Sequence, residues 1–281
     1  MAKLLSFSAG GKSTFGVLDG ERVYDLAPRL PGIGDLKALL AAGGFARAGA
    51  VLAGATAEYS ASDIQFDPVV PNPAKILCIG LNYEDHRLET QRAKTDYPTV
   101  FTRFADTQVG HGRPILKPRH STKVDYEAEL ALVIGKAGRD IPADRAAEHI
   151  AGFSCYNDVS IRDFQNHTTQ FTPGKNFPGT GPFGPALVSP EELGPLGPQR
   201  IQSRLNGTLM QDATLGQMIF PVPALIAYVS QWTTLAVGDV IVTGTPGGVG
   251  VKRVPPVYMK DGDEIIVEID GVGLLRNQVM A

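Results

Sequence analysis

The sequence predicts an α+β fold weighted toward strands, and three observations predict it. Glycine (32) and proline (21) are both abundant in 281 residues, which implies many tight turns between short elements and disfavours a helical bundle. Period-two apolar runs recur along the chain. Asp19-Gly20, Asn206-Gly207 and Asp270-Gly271 are two-residue turn signals between such runs. A hydrophobic content of 43% with 20% charged residues fits a soluble globular protein of one or two domains. The net charge of -3 offers no electrostatic footprint for nucleic acid or an anionic membrane. No apolar run approaches a membrane span, and the start Met-Ala-Lys-Leu-Leu-Ser is too short an apolar stretch for a signal peptide. Cys78 and Cys155 lie far apart in apolar surroundings and read as buried thiols of a reducing compartment. A cytoplasmic protein is the expectation.

Taken in order, residues 1–67 read as a small N-terminal domain. Leu4 to Ser8, Thr14 to Leu18 and Arg22 to Leu26 are strand-like; Asp35 to Ala42 and Ala46 to Ala53 are helical, the first stopped by Gly43-Gly44. Nothing in this stretch assembles a chemical site. Residues 68–73, dense in proline, read as a stiff linker to a main domain over 74–281. Lys75 to Gly80 is a buried strand that opens onto Asn82, a candidate helix cap, with His86 and Glu89 three apart on one helix face. A histidine oriented by a carboxylate is a common general base; an exposed ion pair fits the same spacing. Pro98 to Arg103 is a short strand ending in a cation. Ala143 to Ile150 is a helix opened by Pro142. Gly152 to Asp158 is a strand ending in a carboxylate, and Ser160 with Asp163 fits a helix N-cap with an acid three residues on. A Gly/Pro-dense loop holds Lys175. Pro223 to Trp232 is a helix, and Asp239 to Thr243 a strand. Gly244 to Gly250 is a glycine-rich loop whose N–H groups suit an anion or carbonyl oxygen, without the spacing of a nucleotide site. Glu264 to Ile269 and Gly273 to Val279 form a closing hairpin.

The stretch with the most chemistry is Asp125 to Ile134. At period two, Asp125, Glu127 and Glu129 share a face, roughly 6.5–7 Å apart in steps of two. Like charges that close repel unless something positive lies between them. A hard divalent cation would serve, and Asp158 at another strand end fits as a further ligand. A solvated strand end fits the same pattern.

Several pieces together resemble one family. They are Ile79-Gly80-Leu81-Asn82-Tyr83-x-x-His86-x-x-Glu89, Asp125-Tyr126-Glu127-x-Glu129-Leu130-Ala131, Tyr156-Asn157-Asp158-Val159-Ser160-x-Arg162-Asp163-x-Gln165, Gly174-Lys175 and Thr243-Gly244-Thr245-Pro246-x-Gly248-Val249-Gly250. In this order they are similar to the fumarylacetoacetate hydrolase superfamily, over about residues 70–281, and the N-terminal part looks like that of longer bacterial members. The resemblance implies a mixed β-roll or barrel-like catalytic domain flanked by helices, usually in a homodimer. It implies that Glu127, Glu129 and Asp158 hold Mg²⁺ or Mn²⁺, with Ca²⁺ also known. It implies His86, Glu89 and Lys175 as catalytic residues, and Arg162, Gln165 and Thr245 as substrate contacts. Arg103 stands where many relatives carry lysine; a substrate's distal carboxylate is its expected partner, and an internal pair with a protein carboxylate fits the same residue. The residues after Lys175 also depart from the common pattern. The expected reaction is hydrolysis of a C–C bond in an acylpyruvate-type 1,3-diketo acid of the fumarylacetoacetate or fumarylpyruvate kind, as in aromatic catabolism. The same site chemistry serves decarboxylation of oxaloacetate-type keto acids and hydration or isomerisation of 2-oxo-alkenedioates. A catalytically silent keto-acid-binding protein is the alternative of another class.

Overall fold

The apolar run of Ala128–Ile134, interrupted only by Glu129, dictates a strand buried on both sides, and the computed structural model, which describes residues 2–281, is built around it. Ala128, Leu130, Leu132 and Ile134 pack toward Ile201, Val267, Ile269 and Leu275 of a second sheet, and toward the helix Val222–Trp232. Ala131 and Val133, on the opposite face, pack with Leu4, Phe15, Leu36 and Leu39 of the N-terminal part. Such a strand has to read as a near-continuous apolar run, as this one does from Leu130 onward.

The main sheet runs, from edge to edge, through Tyr59–Ser60, Arg22–Asp25, Lys12–Asp19, Ala2–Ala9, Gly181–Val188, Ile150–Asn157, Ala128–Ile134, Val240–Val242, Ile76–Gly80 and Thr99–Arg103. The second sheet holds Thr208–Thr214, Arg200–Leu205, Glu264–Ile269, Gly273–Met280 and Ile115–Leu116. Both sheets end in free edges, so among the described residues no sheet closes into a barrel, which corrects the barrel-like expectation. The α+β, strand-rich class stands.

The N-terminal strands continue the main sheet through the pairing Leu4↔Leu187. Within residues 68–73, Pro71 and Asn72 are exposed, while Val69 and Val70 are fully buried in the core that the N-terminal part shares with Ile76, Ala131 and Tyr156. Irregular chain can be buried there with fewer unmet donors because proline has no N–H. The first N-terminal helix is Leu36–Ala41, with the Asp35 carboxylate accepting from the Ala38 N–H as its cap. The second is Gly44–Ala50. Cys78 and Cys155 are buried and free. No helix among the described residues is long and apolar enough to cross a membrane.

Candidate active site

The strands Ala128–Ile134, Ile150–Asn157, Ile76–Gly80 and Val240–Val242 lie side by side in the sheet, and the chain at their ends builds the site. Glu127 and Glu129 enter from the first and Asp158 from just past the second. Carboxylate oxygens of all three, one from each, lie within 4.8 Å of one another, and all three residues are buried. The strand predicted over Asp125–Ile134 is broken. Val124–Asp125 pairs with Ser160–Ile161, Tyr126 and Glu127 are irregular, and the main strand starts at Ala128. Asp125 is thereby turned away from the three-carboxylate cluster. It accepts from the Arg162 Nε at 2.7 Å and from the N–H groups of Gly250 and Val251 at 2.8 and 2.9 Å.

Buried carboxylates need positive partners, and the sequence supplies three. Lys175 donates to Glu127 and Asp158 at 2.6 Å each. Arg162 reaches Glu127 at 2.7 Å. Arg103 binds Asp158 at 2.5 Å from behind, and also the Thr180 hydroxyl at 2.7 Å. Burial alone would lower the Lys175 pKa, but Asp158 and Glu127 hold it up. Burial would raise the Glu127 carboxyl, but Lys175 and then Arg162 bring it down to about 2. Glu129 pairs with no cation among the described residues. Its carboxyl is pushed well up by burial and by the charges of Asp158 and Glu127, against the weaker opposing effects of the Lys175 charge and of the Gly244 N–H at 2.6 Å. Four buried carboxylates, Asp125 included, thus face three buried cations. A cluster of hard oxygen donors with surplus negative charge fits a divalent cation.

The structure corrects three details of the sequence reading. Arg103 does not line the cavity; its side chain is fully buried in the scaffold against Asp158. The cation that follows Phe101 is the brace of a site carboxylate, not a contact to a distal substrate group. Replacing Arg103 by methionine should therefore lower stability by about 3 kcal/mol, since it strands a buried charge. It should reduce turnover of mono- and dicarboxylate substrates alike; an unchanged melting temperature would reject the brace. Asn82 is no helix cap. Its side chain ties the strand end to Phe220 and Thr243, and the helix Glu84–Glu89 starts after Tyr83. Ser160 caps nothing either; it is paired in a short strand and its hydroxyl donates to the Asp158 carbonyl.

His86 and Glu89 meet as the helical spacing requires. Nδ1 of His86 lies 2.7 Å from Oε1 of Glu89, and His86 lines the cavity with 6% of its surface exposed. A carboxylate on Nδ1 leaves Nε2 as the ring nitrogen free for the cavity. The other Glu89 oxygen accepts from the Gly248 N–H at 2.9 Å. The glycine-rich loop therefore spends three of its N–H groups on the protein's own carboxylates: Gly244 on Glu129, Gly248 on Glu89, Gly250 on Asp125. Those three clamp protein groups and are not open to an anion. Gly244 is obligatory, since its φ is 100° and a Cβ there would meet the Asn82 Cβ at 2.6 Å. Leu81 holds φ 59° and lines the cavity, a conformation costly for leucine that sharpens the exit from the strand.

The cavity measures about 160 Å³. Beside Glu127, Glu129, Lys175 and His86 it is lined by Arg162, Gln165 and Thr245. Nη2 of Arg162 is buried without a hydrogen-bond partner. Two further lining residues, Arg92 and Lys252, were not singled out from sequence. Both are exposed cations without an ion-pair partner among the described residues. Each sits in irregular or 3₁₀ chain, where no period marks it.

Comparison with known proteins bears on the reaction. The family model for the fumarylacetoacetate (FAA) hydrolase C-terminal domain matches residues 75–280. The chain is 44% identical over 223 residues, 79% of its length and 70% of the relative's, to oxaloacetate tautomerase fahd2, mitochondrial, of Xenopus laevis. It is 40% identical over 225 residues, 79% of its length and 75% of the relative's, to oxaloacetate tautomerase YisK of Bacillus subtilis. The solved fumarylacetoacetate hydrolase of Exiguobacterium antarcticum superposes with a TM-score of 0.85 at 34% identity, over 100% of both chains. The expectation of C–C bond hydrolysis is overturned by the curated relatives at 40 and 44% identity, whose named reaction moves a proton and breaks no carbon–carbon bond.

Proposed function

We propose, from the premise that this chain belongs to the fumarylacetoacetate hydrolase family, that it is an enzyme interconverting the keto and enol forms of an oxaloacetate-type 2-oxo dicarboxylic acid. The observation that carries the reading is the His86–Glu89 pair, with its free Nε2 open to the cavity that holds the carboxylate cluster. Tautomerisation needs a base to take a proton from C3 and a positive environment for the oxygen on C2. It needs no attacking water and no leaving group.

In this reading Nε2 of His86 takes the C3 proton while Glu89 stabilises the imidazolium that forms, and a proton from that imidazolium, directly or through solvent, then goes to the C2 oxygen to give the enol and restore the neutral ring. Lys175 spends two N–H groups on Glu127 and Asp158 and has a third for the substrate oxygen on which charge grows. Arg162 offers its unpartnered Nη2, and Gln165 its amide, to the carboxylate next to C2. Arg92 and Lys252 serve the second carboxylate, the task expected from sequence of Arg103. Glu127, Glu129 and Asp158 would hold Mg²⁺ or Mn²⁺, with Ca²⁺ an alternative. Such a cation, when bound, supplies Lewis-acid polarisation of a carbonyl oxygen.

The test follows the ultraviolet absorbance of enol oxaloacetate as it ketonises, with purified protein and Mg²⁺ or Mn²⁺. Decay faster than in buffer with the same cation is expected. Decay at the buffer rate would end the reading.

A further inference from the structure

Thr245 sits in a closed ring of hydrogen bonds whose direction is set by the backbone. The Ala128 N–H donates to Oε1 of Gln211 at 3.0 Å. Nε2 of Gln211 donates to the Thr245 hydroxyl at 2.8 Å, and that hydroxyl donates to the Ala128 carbonyl at 2.9 Å. Ring polarity is normally an assignment, because an amide can be flipped and a hydroxyl rotated. Here it is fixed at both ends, since a backbone N–H can only donate and a C=O only accept. One outside group fixes the amide as well, the Pro246 carbonyl on Nε2 at 2.8 Å, and the Ser203 hydroxyl, free to donate or accept, follows by donating to Oε1 at 2.9 Å. All three ring members are buried: Ala128 0%, Gln211 1% and Thr245 3% exposed.

A hydroxyl has one proton and two lone pairs. Thr245 gives its proton to Ala128 and one lone pair to Gln211, and it lines the cavity. One lone pair is left for a ligand. Turning the proton into the cavity would break the bond to the Ala128 carbonyl, in the strand between Glu127 and Glu129.

We infer that Thr245 meets the substrate as a hydrogen-bond acceptor only, and so holds the 2-hydroxyl of the enol in preference to the 2-oxo oxygen of the keto form. This rests on the tautomerase reading, because only there do the two forms of one substrate differ by a proton on that oxygen. Gln211, which does not line the cavity, acts through Thr245 as a positioning residue.

The experiment compares two unreactive ligands on the Mn²⁺-loaded protein by calorimetry: malate, whose 2-hydroxyl can donate, and 2-fluorosuccinate, whose fluorine cannot. The ratio of their Kd values is measured in the parent, in Thr245→Val and in Thr245→Ser. Any share that the cation contributes to the ratio is common to all three proteins and cancels in the comparison. The preference for malate should fall about fivefold in Thr245→Val, the worth of one hydrogen bond. The 2-fluorosuccinate Kd should stay within about twofold, and Thr245→Ser should keep the parental ratio. A ratio unchanged in Thr245→Val, or equal weakening of both ligands, overturns the inference and makes Thr245 a scaffold residue. Equal or tighter binding of 2-fluorosuccinate by the parent overturns it without any variant. A ratio that behaves as expected in a protein that does not speed enol decay would remove the proposed reaction and leave the Thr245 polarity standing.

Discussion

Replacing Glu129 by glutamine should raise the melting temperature of the cation-free protein and abolish its activity. Glu129 is the one carboxylate of the cluster without a cationic partner, set against Asp158 and Glu127 in a buried position. An amide of the same shape keeps an oxygen for the Gly244 N–H and removes the like charge. Relief of such repulsion at a functional site commonly gains about 0.5–2 kcal/mol. The same change takes a charged oxygen from the set that would hold the divalent cation. Cation affinity should fall by more than the roughly 10–100-fold that changes behind a ligand typically cost. Turnover should fall with it. Differential scanning in chelator, calorimetric titration with Mn²⁺ and the enol-decay assay read the three effects. A variant that binds Mn²⁺ like the parent would remove Glu129 from the ligand set; a lower melting temperature in chelator would show that the crowding is not felt.

His86→Ala should leave cation binding near the parent value and reduce the rate of enol–keto exchange by about 10²–10⁴-fold, the usual worth of a general base. Glu89→Gln should fall in the same direction by less. The glutamine oxygen can still accept from Nδ1 or from the Gly248 N–H, but it no longer offers a negative charge to the imidazolium. The opposite signatures of Glu129 and His86 separate the roles. One variant loses the cation and the rate together, the other the rate alone. Parental rates in both dyad variants would reduce His86 and Glu89 to a structural pair.

Much of the site was legible because its parts are local. A carboxylate at a strand end and a histidine and a glutamate three apart each follow from the backbone period around them. That is why Glu127 and Glu129 are expected on one strand face, with Asp158 joined to them by the family resemblance, and why the structure brings His86 within hydrogen-bond reach of Glu89. Arg103 was misread for the opposite reason. Its partner Asp158 is 55 residues away, and nothing near Arg103 says whether the guanidinium faces a ligand or a protein carboxylate. The Asp125–Glu129 stretch was misread because alternation cannot reveal a break. Asp125 leaves the cluster only because Ser160–Ile161 captures Val124–Asp125 as a separate pair. The glycine-rich loop was read as an open anion site because its N–H groups are countable in sequence, whereas their acceptors, Glu129, Glu89 and Asp125, come from distant segments.

The sequence by itself determined the strand-rich class, the apolar strand at the centre and the residue types able to do acid–base and cation chemistry. These depend on side-chain period and on intrinsic donor and acceptor character, both properties of neighbouring residues. Only the tertiary structure decided which charges neutralise which, where the N-terminal strands dock, and which way the Thr245 hydroxyl points. Those outcomes depend on burial, where an unpaired polar group is costly and each must find a partner wherever the fold supplies one. Gln211 closes the ring on Thr245 from 34 residues away, from a strand of the other sheet.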